Sequence, residues 1–469
     1  MANGATLDRT KRRLAVVIGG SMAGLWAARV LARHYDRVLI VDRDTFPAGP
    51  DARKGVPQGR HVHVLLGRGM AVAEELFPGI AAELAAAGAP EVNWGADAAS
   101  YFGPAPAPRF PAKVITRTSS RALLEWLLRQ RLQAQPNVEF LAERDVLGLL
   151  HDRRTNRVLG VRLRQRTEHR LGTVEEVRAD LTIDASGRDT RTPAWLQGLG
   201  YGTTEEVIIN SFLGYATRWY QRPAAPVDWQ ALVLLSRYPD HPCGGVIYPI
   251  EGDRWVVTLG GIADRVPPND EAGFLAFARD LAHPVLAEAI AGAAPLSPIY
   301  GYRRTENRLR RYERLPRWPG GFAALGDAVC AFNPVYGQGM TASGVGALVL
   351  DRCLREGRSS ATFQRRLAQA NDVPWTLSTS ADFRWPTTVG GAPDRMTRLM
   401  HRYMEYVTEV SIEHIPTLKT FQEVLHMVSP PTALFQPAIL ARVLRRVMLP
   451  GHTKPAKTSP RPTALARTL

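Results

Sequence analysis

The stretch LAVVIGGSMAGLWAARVLA, residues 14–32, constrains the fold more than any other part of the chain. Leu14 to Ile18 is an uninterrupted apolar run of the kind buried on both faces of a parallel sheet. Ala23 to Arg33 carries a helical pattern, and Val38 to Val41 reads as the next strand. A glycine turn joins the first strand to the helix. Gly19 and Gly24 occupy its first and third glycine positions; Ser21 holds the second, where backbone must approach a ligand, and serine is the smallest change that still permits that approach. Asp42 closes the second strand, 23 residues after Gly19, where an acidic side chain can accept from a ribose hydroxyl. A βαβ unit with these features predicts a dinucleotide site. Asp44, two residues further on, reads as solvated. The segment also begins like an export signal, but Arg29 and Gly19–Gly20 interrupt its apolar run and a strand follows it, so none is expected.

With 469 residues, of which 45% are hydrophobic and 22% charged, the chain can form two or three domains with substantial cores. Its three cysteines, Cys243, Cys330 and Cys353, form no CxxC pair. Structural zinc and a disulfide framework are therefore not expected, and a reducing, cytoplasmic setting is. The net charge of +15 is concentrated in residues 1–13, 303–317 and 441–469. No aromatic-interleaved basic stripe or recognition motif accompanies these segments, so nucleic acid is not an expected partner. No run reaches 18 apolar residues, and no transmembrane helix is predicted. RVLRRVML, residues 442–449, reads as a solvated basic amphipathic helix, with peripheral membrane contact as the other reading.

RKGVPQGRHVH, residues 53–63, is a loop dense in donors. Arg53 is a candidate anchor for an anionic ligand, whereas His61 and His63, with no carboxylate nearby, are not expected to hold a metal. SSRALLEWLLRQRL, residues 119–132, is an amphipathic helix with serine caps. Arg121 in its first turn is either a solvated charge or a phosphate contact. Residues 89–116 read as short strands with Pro-rich turns, and 138–150 and 158–184 alternate as strands do, ending at DASGR, residues 184–188, a second glycine turn. Strands dominate from Asn210 to Asp264, with a hairpin turning at EGD, residues 251–253. Residues 274–290 read as helix, and helical signals prevail from 341 through 449. GDAVCAFNPVYGQGMTASG, residues 326–344, follows a short apolar run with a lone carboxylate, Asp327, then Gly337 and Gly339 at the mouth of a helix. Unpaired N–H groups and partial positive charge there suit an anion or a polarised oxygen.

With these pieces in order, residues 12–360 resemble the single-component flavoprotein monooxygenases of the para-hydroxybenzoate hydroxylase fold. The resemblance is carried by the Gly19–Gly24 turn with Asp42, by DASGR, and by Gly326–Asp327 followed by Pro334, Gly337 and Gly339. RKGVPQGRHVH and FNPVYGQGMT look closest to actinobacterial polyether epoxidases, and GDAVCAFNPVYGQGMT is similar to the squalene epoxidase stretch. Many hydroxylases of the fold carry asparagine where Met340 stands.

The resemblance implies an α/β fold: a discontinuous Rossmann-like FAD-binding domain (12–88, 111–204, 298–360), a mixed β-sheet substrate domain (89–110, 205–297), a C-terminal helical region (361–449), and a disordered tail (450–469). It implies that Met22, Ala23, Asp42, Arg43, Arg53, Arg121 and Val146 line the adenosine and pyrophosphate. Asp327 would bond the ribityl chain, and Gly337, Gly339 and Met340 would face the isoalloxazine. Phe212, Tyr215, Tyr220 and Tyr248 are candidates for an apolar substrate pocket, with sheet core as the plainer role for each. The implied activity is epoxidation of olefins in a linear polyketide through a C4a-hydroperoxyflavin, with O2 as co-substrate and NADPH, or reduced flavin from a reductase partner, as reductant. Hydroxylation of an aromatic or polyketide substrate and non-redox polyketide cyclisation stay open. Halogenation is disfavoured because GVIYPI, residues 245–250, lacks the paired tryptophans of that family's signature.

Overall fold

The computed structural model describes residues 13–102, 106–166 and 171–448; the expected tail over 450–469 lies outside the described residues. A five-stranded parallel sheet forms the centre, in the order Phe322–Ala324, Leu181–Asp184, Leu14–Ile18, Arg37–Val41, Val138–Leu141. Its strands are short and almost wholly apolar because both faces are covered, by helix Met22–Leu31 and by the three-stranded antiparallel sheet Arg144–Asp152, Arg157–Arg166, Leu171–Arg178, whose middle strand meets Leu181–Asp184. Helix Met22–Leu31 packs on one side with Gly24 against Val17, and helix Gly339–Arg355 packs against that helix in turn, Gly344 beside Trp26. Leaving Leu14–Ile18, the chain goes to the neighbour on one side and later returns to the neighbour on the other. The carboxyl end of this strand is therefore the topological switch point, where open α/β sheets bind ligands.

A six-stranded sheet lies beside it, in the order Tyr300–Tyr302, Gly214–Gln221, Arg254–Gly261, Cys243–Ile250, Ala231–Leu234, Ala98–Tyr101. The expected hairpin is its centre, with Ile250 opposite Arg254 across the Glu251–Asp253 turn. One face of this sheet, with Ala216, Tyr220, Ile247 and Val257, packs on helices Glu271–Arg279 and Val285–Ala291. The single helix expected over 274–290 is two, because Pro284 has no N–H to continue the first one. Five helices follow between Gly339 and Met448, and the last, Pro437–Met448, leaves Leu444, Val447 and Met448 exposed while Arg446 pairs with Glu409. No helix among the described residues is long and apolar enough to cross a membrane.

The basic segment 303–317 is folded back on local acids: Arg304 on Asp189, Arg308 and Arg310 on Glu206, and Arg314 on Glu205. Its positive charge is largely spent within the fold.

Candidate functional site

The turn after Ile18 is shaped by what it cannot hold. Gly19 has φ +100°, and a Cβ on Gly24 would lie 1.8 Å from the Gly19 carbonyl oxygen, so the strand and helix meet only through glycine. Ser21 precedes helix Met22–Leu31 but does not cap it; its hydroxyl turns to Glu125 at 3.1 Å, leaving the first N–H groups of the helix uncapped. Asp42 Oδ2 accepts from the Gly20 N–H at 2.6 Å and from Arg53 at 2.7 Å. Arg53 also donates to the Gly20 carbonyl at 2.9 Å and to Glu125 at 2.7 Å. Glu125 in turn accepts from Arg121 Nε at 3.0 Å, and Arg121 donates to Ser21 Oγ at 2.8 Å. Asp42, Arg53, Glu125, Arg121 and Ser21 thus form one buried network. Burial alone would lower the Arg53 pKa, but Asp42 and Glu125 raise it.

Arg121 is therefore not a solvated charge. Asp44 is not solvated either: it accepts from the Gly55 N–H at 2.7 Å and lies 3.5 Å from Arg53, tying down the 53–63 loop. In that loop His61 bonds Thr217 at 2.8 Å and packs edge-on against Tyr215, while His63 bonds the His61 carbonyl at 3.0 Å. Burial drops them to about 4 and about 3 respectively, so both rings are neutral at neutral pH.

On the far side of the switch point, Asp184 is buried and accepts from the Ser186 N–H and from the hydroxyls of Thr190 and Thr192, closing the DASGR turn. Arg188 reaches across to the Glu306 and Phe332 carbonyls at 2.8 and 2.9 Å. Asp327 sits on the tight turn Gly326–Ala328 at the end of strand Phe322–Ala324. Among the described residues nothing donates to its carboxylate, which faces open space; burial raises its pKa against the pull of Arg188, Arg121 and Arg310. A short 3-10 turn, Pro334–Tyr336, ends at Gly337 with φ +65°, and helix Gly339–Arg355 begins with no side-chain cap. A Cβ on Gly339 would meet only Asp327 Oδ1, at 4.0 Å. The Gln338 Oε1 and Thr341 Oγ1 atoms beside it are buried without a partner.

One cavity of about 1900 Å3 joins all of this. Gly19, Ser21, Met22, Ala23, Asp42, Arg43, Arg53, Arg121, Val146, Asp327, Gly337, Gly339 and Met340 line it; Gly24 does not, because it packs behind the turn. The cavity continues over the second face of the six-stranded sheet, past Tyr215, Val246 and Tyr248, to a wall made by Met404 and Phe421 of the C-terminal helices and by Trp385, just past helix Ser360–Asp382. Tyr215 stacks on Tyr302 at 5.3 Å, and Tyr248 meets Trp94 edge-on at 5.3 Å. Tyr220 and Phe212 are corrections to the expected pocket. Tyr220 stands five residues after Tyr215 on the same strand, so the alternation of side chains puts it in the opposite core. Phe212 is 46% exposed on a bend before that strand, with φ +56°.

Sequence reasoning missed Glu125, which sits one helical turn after Arg121 and so on the same face, a spacing that was readable. It also missed Tyr302, Trp94, Asp382 and the C-terminal wall, which come to the cavity only through long-range packing.

The residues present suit an FAD. A carboxylate without a partner, two uncapped helix starts and two guanidiniums already held in place are what a dinucleotide with a polar ribityl chain needs.

The FAD dependent oxidoreductase family matches residues 15–189. Protein Rv3254 of Mycobacterium tuberculosis is 34% identical over 380 residues, covering 78% of this chain and 80% of its own. Among solved structures, the flavin-dependent brominase Bmp2 superposes with a TM-score of 0.65 at 15% identity, over 92% of this chain and 98% of that one. PqsL, a probable FAD-dependent monooxygenase from Pseudomonas aeruginosa, does so with a TM-score of 0.58 at 17% identity, over 80% of this chain and 97% of its own. At these identities the likeness is one of fold.

Proposed function

The chain belongs to the FAD-dependent oxidoreductases, and from that premise we propose that it is a flavin-dependent monooxygenase that epoxidises an olefin of a linear, apolar polyketide. The observation that carries this reading is the cavity. A single small-molecule site occupies roughly 300–1000 Å3, and this chamber, at about 1900 Å3, is large enough for a cofactor and a second ligand together. Its two ends differ chemically, ionic around Asp42 and Arg53 and aromatic around Tyr215 and Tyr248.

In this reading Asp42 holds the adenosine ribose, Arg53 and Arg121 face the pyrophosphate, Asp327 takes the ribityl hydroxyls, and the 337–340 N–H groups face the N1/O2 edge. Bound and reduced, FAD supplies the activation of dioxygen. The chain's part is to orient and to exclude water. The N–H groups at the start of helix Gly339–Arg355 favour negative charge on the ring edge, an interaction a purely structural flavin would not need. The Tyr215, Tyr248 and Trp94 surfaces seat an alkene without offering it a charge, and an alkene needs no deprotonation before oxygen is transferred. The reductant in this reading is NADPH or reduced flavin delivered by a reductase. PqsL, a probable FAD-dependent monooxygenase, has a similar fold.

Turnover of a candidate polyene under labelled dioxygen, read by mass spectrometry, tests the proposal: one labelled oxygen atom per product olefin is expected. Label in an aromatic ring would make the enzyme a hydroxylase, and an anaerobic isomer of unchanged mass would make it a cyclase. Gly339→Val should keep FAD but lose oxygen transfer, since its side chain would project into the open space beside Asp327.

A further inference from the structure

Asp382 closes helix Ser360–Asp382, is 1% exposed, and borders the same cavity. Its Oδ2 accepts from the Asn307 amide at 2.6 Å. The Asn333 amide reaches both of its oxygens, at 3.0 and 3.2 Å, and the Tyr336 hydroxyl donates to Oδ1 at 3.2 Å. Asn307 is itself fixed, its Oδ1 accepting from the Asn333 N–H at 2.8 Å and from the Ser378 hydroxyl at 2.7 Å. All these donors are neutral. Arg384, two residues on, is turned to Glu405 at 2.5 Å, and among the described residues no cationic side chain pairs with Asp382. Burying a carboxylate without a cation is expensive, and such groups concentrate where a protein has a use for them.

The residues Asp382 grips, Asn333 and Tyr336, bracket the 3-10 turn that ends at Gly337 and leads into Gly339. Resting on the FAD reading above, we propose that Asp382 is the positioning residue of this end of the cavity, fixing the Asn333–Gly337 turn and through it the N–H groups presented to the isoalloxazine. It acts from a C-terminal helix, outside the dinucleotide-binding elements, and touches the cofactor only through the turn it holds.

Asp382→Asn keeps the shape, removes the charge and replaces one acceptor oxygen with an NH2 that cannot accept from Asn307, Asn333 or Tyr336. In reconstituted holoprotein at pH 8 the expected result is an undiminished Tm, an FAD Kd raised about tenfold, the size of one lost charge-assisted hydrogen bond, and a shifted visible flavin band. ADP, which would engage only the Asp42 end, should bind within about twofold of wild type. Tyr336→Phe removes one donor from the turn itself and should raise the FAD Kd about threefold, again with ADP unmoved; it decides alone if Asp382→Asn does not fold. Unchanged FAD affinity and spectrum would overturn the assignment, and so would FAD, ADP and Tm falling in parallel, which is the mark of a merely structural residue. Wild-type protein that binds ADP but no FAD would overturn the underlying FAD reading instead.

Discussion

Two buried carboxylates, Asp382 in the wall of the cavity and Glu125 behind the Arg53 and Arg121 that line it, are satisfied in opposite ways. Glu125, 4% exposed, lies between two guanidiniums and a hydroxyl, Arg53, Arg121 and Ser21. Asp382, 1% exposed, has amides and a phenol. At the first end each carboxylate has a guanidinium against it, so an anionic ligand meets guanidiniums that are already oriented and loses little to ordering them. At the second end the negative charge is unmatched, and burial pushes Asp382 up to about 6 against the hydrogen bonds of Asn333, Ser211, Tyr336 and Asn307. One network is built for stability and anion recognition; the other tolerates instability to hold a turn.

The comparison breaks most readily at Arg53. Arg53→Ala strips Asp42 and Glu125 of a shared partner, and removing one member of a buried pair costs about 3–5 kcal/mol. Urea unfolding should show a loss of that order; a loss below about 1 kcal/mol would mean that solvent already screens the network.

The next effect is a pH dependence of opposite origin. A carboxyl whose pKa is raised on folding stabilises the native state when protonated. That contribution is complete below the unfolded value, near 4, and is lost as pH rises through the folded value of about 6. Two pKa units correspond to about 3 kcal/mol. Measured between pH 4 and 8, wild type should therefore lose about that much relative to Asp382→Asn as pH rises. Parallel curves would place the charge elsewhere.

Much of the first end was legible in the sequence, and little of the second. The strand Leu14–Ile18 and the Gly19–Gly24 turn follow from rules local to some 30 residues, and the hairpin at Glu251–Asp253 from still fewer. Glu125 is one turn from Arg121. Asp382, by contrast, meets partners 49 and 75 residues away in the chain, and no local pattern encodes that meeting. Tyr220 takes the plainer of its two expected roles, sheet core, because residues an odd number apart on one strand face opposite ways. Asp44 reads as solvated in the sequence because its partner, the Gly55 N–H, belongs to a loop that returns from further along the chain.

Asp327 sharpens the contrast differently, since among the described residues nothing donates to its carboxylate. Asp327→Ala should leave Tm without FAD nearly unchanged while weakening FAD by about 1.5–3 kcal/mol, the worth of a charge-assisted hydrogen bond. Dialysis should then yield nearly colourless protein. Full flavin retention would remove Asp327 from the site. The smallest effect is expected at Asp44. Asp44→Ala frees one N–H of the 53–63 loop and should cost about 1 kcal/mol of stability, well short of the Arg53 loss; an equal loss would make the two ends of that loop one unit.

The central claim is that one chamber holds FAD and an apolar ligand side by side. Titrating the holoprotein with a linear polyene while following the visible flavin band tests it most directly. A saturable change in the band, with one FAD per chain still bound at saturation, is predicted. Release of FAD in step with polyene binding would show that the two compete for one site, and would contradict the account.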